Sequence, residues 1–371
     1  MNASGIALYV HIPFCKQKCA YCDFTSFAGR EADIAHYCDV LAREIAAAGR
    51  WHGCFVHSAF FGGGTPTLLQ GEQITMLLEE LRKAFIFTAD IEITMEGNPG
   101  TLTRQNVALY RAASVNRFSL GAQAMQPRLL ESLGRIHRWR DVEQSVALLR
   151  EAGFCNINLD LMFGLPGQDI SDWSDTLQAA LALGPEHLSC YGLQVEEGTP
   201  LAARCEDLPD EEEERAMYAR ARSVLSGAGY AQYELSNFAK PGRECRQNLT
   251  YWTRGDYLGF GCAAHSLMGD QRWSNTPSLS DYLSEKSLII EETRLDAPEA
   301  RFEALMLGLR LTEGLSSTEF ERRYGCGIKE LWGERLDSLR QSGLIEWAGE
   351  RLRLTERGMD LQNSVLVALM D

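Results

Sequence analysis

From residue 7 to about residue 230, short apolar runs alternate with longer stretches in which apolar positions recur every three or four residues. The short runs are ALYVHI (7–12), SAFFGG (58–63), IEITME (91–96), NRFSLG (116–121), NINLDLMFG (156–164) and LSCYGLQ (188–194). Their length and apolar content are those of buried strands. The stretches between them read as amphipathic helices: Asp33 to Ala48, Glu72 to Ala84, Arg104 to Ala113, Arg140 to Ala152, Ser171 to Leu183 and Glu211 to Ser226. Several end near a glycine (Gly49, Gly153, Gly184), as helix C-caps do. Strand and helix in strict alternation predict an α/β fold with a parallel sheet, curled by right-handed crossovers into a partial (β/α)6 barrel over residues 1–230.

After Tyr230 the pattern changes. Residues 231–294 are rich in aromatics, glycine and polar residues. They read as a small α+β extension packed along the open side of the barrel. LDAPEA (295–300) reads as a linker. Residues 295–371 give three helical stretches, a hairpin signal in GLIEWAGERLRLTERG and a final helix, the pattern of a small winged-helix-like domain. It carries no basic stripe, which favours packing or partner docking over nucleic acid.

Composition narrows the class. The chain has 371 residues, 45% hydrophobic and 23% charged, with a formal net charge of −15. That balance predicts a globular protein and argues against nucleic-acid binding. Part of the charge lies in DEEEER (Asp210 to Arg215), read as the solvated first turn of a helix. No apolar run approaches the ~20 residues of a membrane span, and no secretory signal is visible, so a cytoplasmic location is expected. Thiols stay reduced there, and the eleven cysteines read as free thiols or metal ligands rather than a disulfide framework.

The unusual residues gather at one end of the predicted strands. The cysteine loop HIPFCKQKCAYCDF follows strand one, GGGTP strand two, EGNP strand three and GAQ strand four; LDLMFGLPGQ ends strand five, and GLQVEEGTP follows strand six. In β/α barrels the strand C-terminal ends carry the chemistry. Cys15, Cys19 and Cys22 have the spacing C-x3-C-x2-C. A four-iron cubane held by three thiolates keeps one iron open, which the amino and carboxylate groups of S-adenosylmethionine (SAM) can chelate. A three-cysteine zinc site with a distant fourth ligand is the competing reading. Gly62, Gly63 and Gly64 allow backbone to approach a ligand closely. Arg135 can fork onto a carboxylate. Glu96, Gln123 and Asp160, ending strands three, four and five, can hydrogen-bond a ribose or an ammonium.

The cysteine spacing, with Tyr21 before the last cysteine, resembles the radical SAM superfamily. YVHIPFC, GGGTPT, GLPGQ, YELSNFAKPG and the C-terminal segment together resemble the group of oxygen-independent coproporphyrinogen III oxidases, and within it most closely the HemW heme chaperones, over nearly the whole chain. The resemblance implies a [4Fe–4S] cluster on Cys15, Cys19 and Cys22. It places SAM contacts at Tyr9, Tyr21, Gly64, Thr65, Glu96, Gln123, Arg135, Asp160 and Gln194. It also implies electron transfer into the sulfonium to give a 5′-deoxyadenosyl radical, and an electron donor such as flavodoxin or ferredoxin. Heme is the implied cargo and client hemoproteins the partners, with any membrane association peripheral and made through those clients.

Two classes of function compete under this resemblance. One is an enzyme decarboxylating the propionates of coproporphyrinogen III; the other is a chaperone that holds and delivers heme. The decarboxylases carry a further cysteine two residues after the last cluster ligand, where this chain has Phe24. They also carry a longer N-terminal extension before strand one, which begins here near residue 7. RQNLTYW (246–252) lines up with the chaperone motif H-N-x-x-Y-W, with Gln247 in place of histidine and Asn248, Tyr251 and Trp252 intact. Glutamine is a poor iron ligand beside imidazole, which makes Cys245 and His265 alternative ligand candidates. The chaperone is the expected function; no catalytic residue is assigned, and a methyltransferase or cyclopropanase using a second SAM is a third reading.

Overall fold

The computed structural model describes residues 5–204, 207–286 and 288–370; Cys205, one of the eleven cysteines, lies outside the described residues. Six parallel strands, each beside the next in chain order, form its centre: β1 (Ile6–Ile12), β2 (Phe55–Gly63), β3 (Ile86–Gly97), β4 (Arg117–Gln123), β5 (Ile157–Phe163) and β6 (His187–Gly192). Between them run α1 (Ile34–Ala46), α2 (Gly71–Ala84), α3 (Arg104–Ala112), α4 (Pro127–Ser132), α5 (Trp139–Glu151) and α6 (Ile170–Ala182), with α7 (Glu211–Gly227) after β6. Gly49, Gly153 and Gly184 follow their helices with φ of 56°, 83° and 62°. Asp210 caps α7 by accepting the N–H groups of Glu212 and Glu213, so the acidic run sits at the positive end of the helix dipole.

Strand side chains alternate between faces, and here the alternation separates two chemistries. Leu8, Val10, Ile12, Ala59, Phe61, Ile93, Met95, Phe118, Leu120, Leu159 and Leu161 point outward into one apolar core beneath the helices. Tyr9, His11, Ser58, Glu92, Thr94, Glu96, Arg117, Ser119, Asn158, Asp160 and Ser189 occupy the intervening positions and line the interior. Register stacks them in layers: Glu96 is level with Ser119, Ser119 with Asn158, and Asp160 with Ser189. A polar barrel interior is costly to bury without hydrogen bonds, and it is this interior that carries the site.

The expected side extension instead continues the same sheet at both edges. Beyond β6 lie β8 (Asn237–Ala239) and β7 (Ala231–Gln232), antiparallel. Beyond β1 lies β9 (Tyr257–Phe260), parallel to it, then β10 (His265–Met268), β11 (Gln271–Asn275) and β12 (Ile289–Arg294), antiparallel. The sheet has twelve strands in the order β12-β11-β10-β9-β1-β2-β3-β4-β5-β6-β8-β7 and is open. Helix α8 (Arg246–Trp252) reaches into its interior: Ser58 of β2 donates to Gln247 Oε1 at 2.7 Å, and Glu92 of β3 accepts the Arg246 N–H at 3.0 Å.

Segment 295–300 is not a flexible connection. Asp296 caps α10 (Ala297–Gly308), which follows the short α9 (Leu279–Leu283), so the chain turns directly into helix. Then come β13 (Leu315–Ser316), α11 (Ser317–Tyr324), α12 (Ile328–Gln341), the hairpin β14 (Ile345–Ala348) and β15 (Arg351–Leu354), α13 (Glu356–Asp360) and α14 (Gln362–Met370). Their apolar faces meet in a second core that includes Leu305, Phe320, Ile328, Leu336, Leu352 and Leu369. None of the described helices is long and apolar enough to cross a membrane.

The C-terminal unit is tied to the end of α8 by charge. Arg254 is 1% exposed; its Nε donates to Glu303 Oε2 at 2.8 Å and its Nη2 to Asp270 Oδ1 at 3.1 Å. Glu303 also accepts from Arg272. Removing Glu303 leaves Arg254 with Asp270 as its remaining carboxylate, so the cost is that of a lost hydrogen bond between charged groups, about 1.5–3 kcal/mol. Glu303→Ala is therefore expected to lower unfolding free energy in urea by that order. A loss under about 0.5 kcal/mol, the surface-substitution range, would mean the pair holds nothing.

Candidate functional site

The loop after β1 carries Cys15, Cys19 and Cys22 to the C-terminal end of the sheet, where all three line one cavity of about 510 Å3. That volume suits a small-molecule ligand. Tyr21, Gly63, Gly64, Glu96, Gln123, Arg135, Asp160 and Gln194 line the same cavity. Thr65 stands behind it, its hydroxyl donating to Cys15 Sγ at 3.5 Å and accepting from Asn98 Nδ2 at 2.8 Å. Tyr9 faces a neighbouring cavity instead. Gly62 lines neither cavity; a Cβ there would lie 2.9 Å from the Phe60 ring. Sequence reasoning passed over Asn98, Ser119, Met162 and Tyr191, which also line the thiol cavity. Their signal was the inward phase of each strand and the first residue beyond β3.

The glycine run is explained by the chain's own packing. Gly63 has φ of 108°, and a Cβ there would lie 2.3 Å from the His11 ring. At Gly64 a Cβ would lie 2.7 Å from the Phe14 carbonyl oxygen. The triplet lets β2 approach the root of the cysteine loop, so the thiols sit over the sheet rather than away from it. Gln123 ends β4 with φ of 64°, a conformation rare for residues with a side chain. Such outliers concentrate at functional sites.

The cavity's charged groups are anchored before any ligand arrives. Arg135 donates from Nη2 to Asn98 Oδ1 at 2.8 Å and to the Gly121 carbonyl, and from Nη1 to Cys19 Sγ at 3.4 Å; its Nε has no partner. Asp160 accepts from Ser119 Oγ at 3.0 Å and Asn158 Nδ2 at 2.8 Å. Burial raises its pKa, and those donors oppose the rise. Glu96 accepts the Gly63 N–H at 3.1 Å, and burial, with the Asp160 charge, pushes its pKa up to about 8. Once ionised, the Glu96 carboxyl adds to Asp160 and makes the cavity favour a cationic ligand. Burial also raises the Cys15 and Cys22 thiols, so a metal that binds them must displace protons.

Among the described residues, no group of three or more His, Cys, Asp or Glu side chains could hold a metal ion.

The expected heme ligands separate. Gln247 is buried and both ends of its amide are taken, Oε1 by Ser58 and Nε2 by the Tyr251 hydroxyl at 2.8 Å. It lines neither cavity, and neither do Asn248, Trp252 or Cys245. The Trp252 ring instead lies under the Arg310 guanidinium, 4.3 Å from its centroid, and Asn248 donates to the Tyr233 hydroxyl. Cys245 is buried, its thiol pushed up to about 12. Tyr251 and His265 do line the second cavity, about 490 Å3, which shares Asp23, Phe24, Gly63 and Glu96 with the first.

Known proteins resemble this chain along nearly its whole length. Residues 9–180 match the radical SAM superfamily and residues 295–361 the HemN C-terminal domain. A protein of Bacillus subtilis named heme chaperone HemW is 37% identical over 98% of each chain. Another of that name, from Escherichia coli, is 35% identical over 97% of each. Among solved structures, that of the Escherichia coli coproporphyrinogen III oxidase HemN superposes with a TM-score of 0.86 at 26% identity, over 98% of this chain and 89% of that one.

Proposed function

This chain belongs to the HemW family of radical SAM proteins, and on that premise we propose that it is a heme chaperone that carries a [4Fe–4S] cluster and SAM and delivers heme to hemoproteins. The observation that carries this reading is the single cavity in which three thiols meet Glu96, Gln123, Arg135 and Asp160. Cys15, Cys19 and Cys22 would hold the cluster. Glu96 would accept from the amino group of SAM, Arg135 would hold the carboxylate and Asp160 the ribose. When bound and reduced by an external electron donor, the cluster would supply one electron to the sulfonium of SAM. The chain's own residues fix the ligand's orientation and keep bulk water from it. Lys16 and Lys18, exposed on the cluster loop of a chain with net charge −15, suit an acidic electron donor such as a flavodoxin.

Phe24, where the decarboxylases carry cysteine, supports the chaperone over the enzyme. The test is anaerobic reconstitution followed by separate incubations with coproporphyrinogen III and with heme. Heme retained in stoichiometric amount without protoporphyrinogen is the expected result; turnover of coproporphyrinogen would overturn it.

Glu96 adds a proton signature. With its pKa near 8, the carboxyl is protonated at pH 7 and must ionise to offer two acceptor oxygens to the amino group. Affinity for SAM should therefore rise with pH up to about 8 and level off above it. At pH 7, wild type should release about one proton more than Glu96→Gln on binding. Calorimetry in buffers of different ionisation enthalpy measures that difference; equal release by both proteins would remove Glu96 from the amino-group site.

A further inference from the structure

We propose that the second cavity is the seat of the cargo, and that His265 supplies the axial imidazole to a metal-bearing tetrapyrrole held there. This rests on the chaperone reading above and names its site. Two imidazoles line the cavity, and they differ in what they can offer an iron. His11 is buried with both nitrogens engaged, Nε2 with the Thr25 carbonyl at 2.9 Å and Nδ1 with the Tyr9 hydroxyl at 3.0 Å. His265 is exposed on β10, and no hydrogen bond engages its ring among the described residues. A ligand needs a nitrogen lone pair that nothing else has claimed.

The remaining walls fit a flat apolar ring. Tyr251 and Tyr257 meet edge to face, their centroids 4.9 Å apart, and form one aromatic side. Burial raises both phenols, so neither competes as a phenolate ligand. At the mouth stand Phe24, 63% exposed, and Ile290, 57% exposed on the edge strand β12. Large apolar side chains this open to water gain by covering a partner. No lysine or arginine lines the cavity, and Asp23 and Glu96 do. A porphyrin would therefore enter apolar edge first, its propionates left at the solvent mouth. Glu96 and Gly63 separate this seat from the thiol cavity, so cargo and SAM would share a wall.

The position aligned with the motif histidine plays a different part. Gln247 holds the Tyr251 hydroxyl from behind and braces α8 against Ser58. It is a positioning residue for the aromatic wall.

The experiment is a titration of the full-length protein with hemin, read by the Soret band and by electron paramagnetic resonance, for wild type, His265→Ala, Ile290→Asp and Gln247→His. His265→Ala should lose the imidazole-ligated spectrum and bind about ten-fold more weakly or worse, and added imidazole should restore the band. Ile290→Asp, on an exposed strand, should weaken binding while keeping the wild-type spectrum. Gln247→His should leave the ligation spectrum unchanged. If wild type binds heme and His265→Ala matches it in affinity and spectrum, or Gln247→His acquires a new ligation spectrum, the site is wrong and the chaperone reading stands. If wild type binds no heme at all, both fall together.

Discussion

Replacing Cys15, Cys19 and Cys22 together by alanine is expected to yield a folded protein that takes up no iron–sulfur cluster. The three thiols share one cavity wall, reached by a loop that β1 launches and the Gly63–Gly64 approach holds in place. No other cysteine among the described residues lines that cavity. Cys38, Cys190, Cys245 and Cys262 are buried, and Cys245 is shut inside the barrel beside Glu92. A replacement ligand from these four would need the core to open; Cys54, Cys155 and Cys326 are more accessible but line neither cavity. The core itself rests on apolar contacts the loop thiols do not make, so helical content should persist. Iron and sulfide analysis after anaerobic reconstitution, with the resonance signal of the reduced protein, measures the outcome. A full cluster in the triple variant would place it elsewhere in the chain.

Asp160→Ala should weaken SAM binding by about ten-fold or more while the cluster content stays at the wild-type level. The carboxylate lies on the inner face of β5, level with Ser189 and held by Ser119 and Asn158. Losing a hydrogen bond to a charged group costs about 1.5–3 kcal/mol. The same substitution strands the Ser119 hydroxyl inside the barrel, while Asn158 keeps Ser119 and Ser189 as acceptors, so stability should fall as well, by about 1–3 kcal/mol. Asp160→Asn separates the two effects, because it keeps an acceptor for that hydroxyl and removes the charge. Calorimetry on cluster-loaded protein reads the affinity. Unchanged SAM binding in Asp160→Ala would take the ribose contact away from this residue.

Local periodicity made the six parallel strands and most of their helices legible, and the rim of unusual residues followed from the order of the strands alone. Local pattern could not show that β9 pairs with β1, because that pairing joins Ala7 to Tyr257 and leaves no trace within either segment. The same holds for β7 and β8, whose two and three residues are too short for a period to register. The first half of β3 was missed because it is mostly exposed and mixes polar with apolar residues. Helix α4 is only six residues long, marked by a proline at its start and little else. At the site, the residue types were readable and their partners were not. Glycine at position 63 suggested a ligand nearby, and the nearest atoms are those of His11. Gln247 stood where a motif has histidine and suggested a weakened iron ligand; it is a buried brace between Ser58 and Tyr251. Motif position survives in sequence, but which face of α8 it occupies depends on a sheet assembled from both ends of the chain.

Heme transfer puts the proposed function to the proof. The protein, reconstituted with its cluster and SAM without oxygen, is loaded with one equivalent of heme and mixed with an apo-hemoprotein whose holo spectrum is distinct. The expected result is a stable heme complex before mixing and movement of the Soret band to the acceptor's position afterwards, with no coproporphyrinogen III consumed in a parallel incubation. A protein that retains no heme, or hands none on, while converting coproporphyrinogen would be an enzyme and not a chaperone.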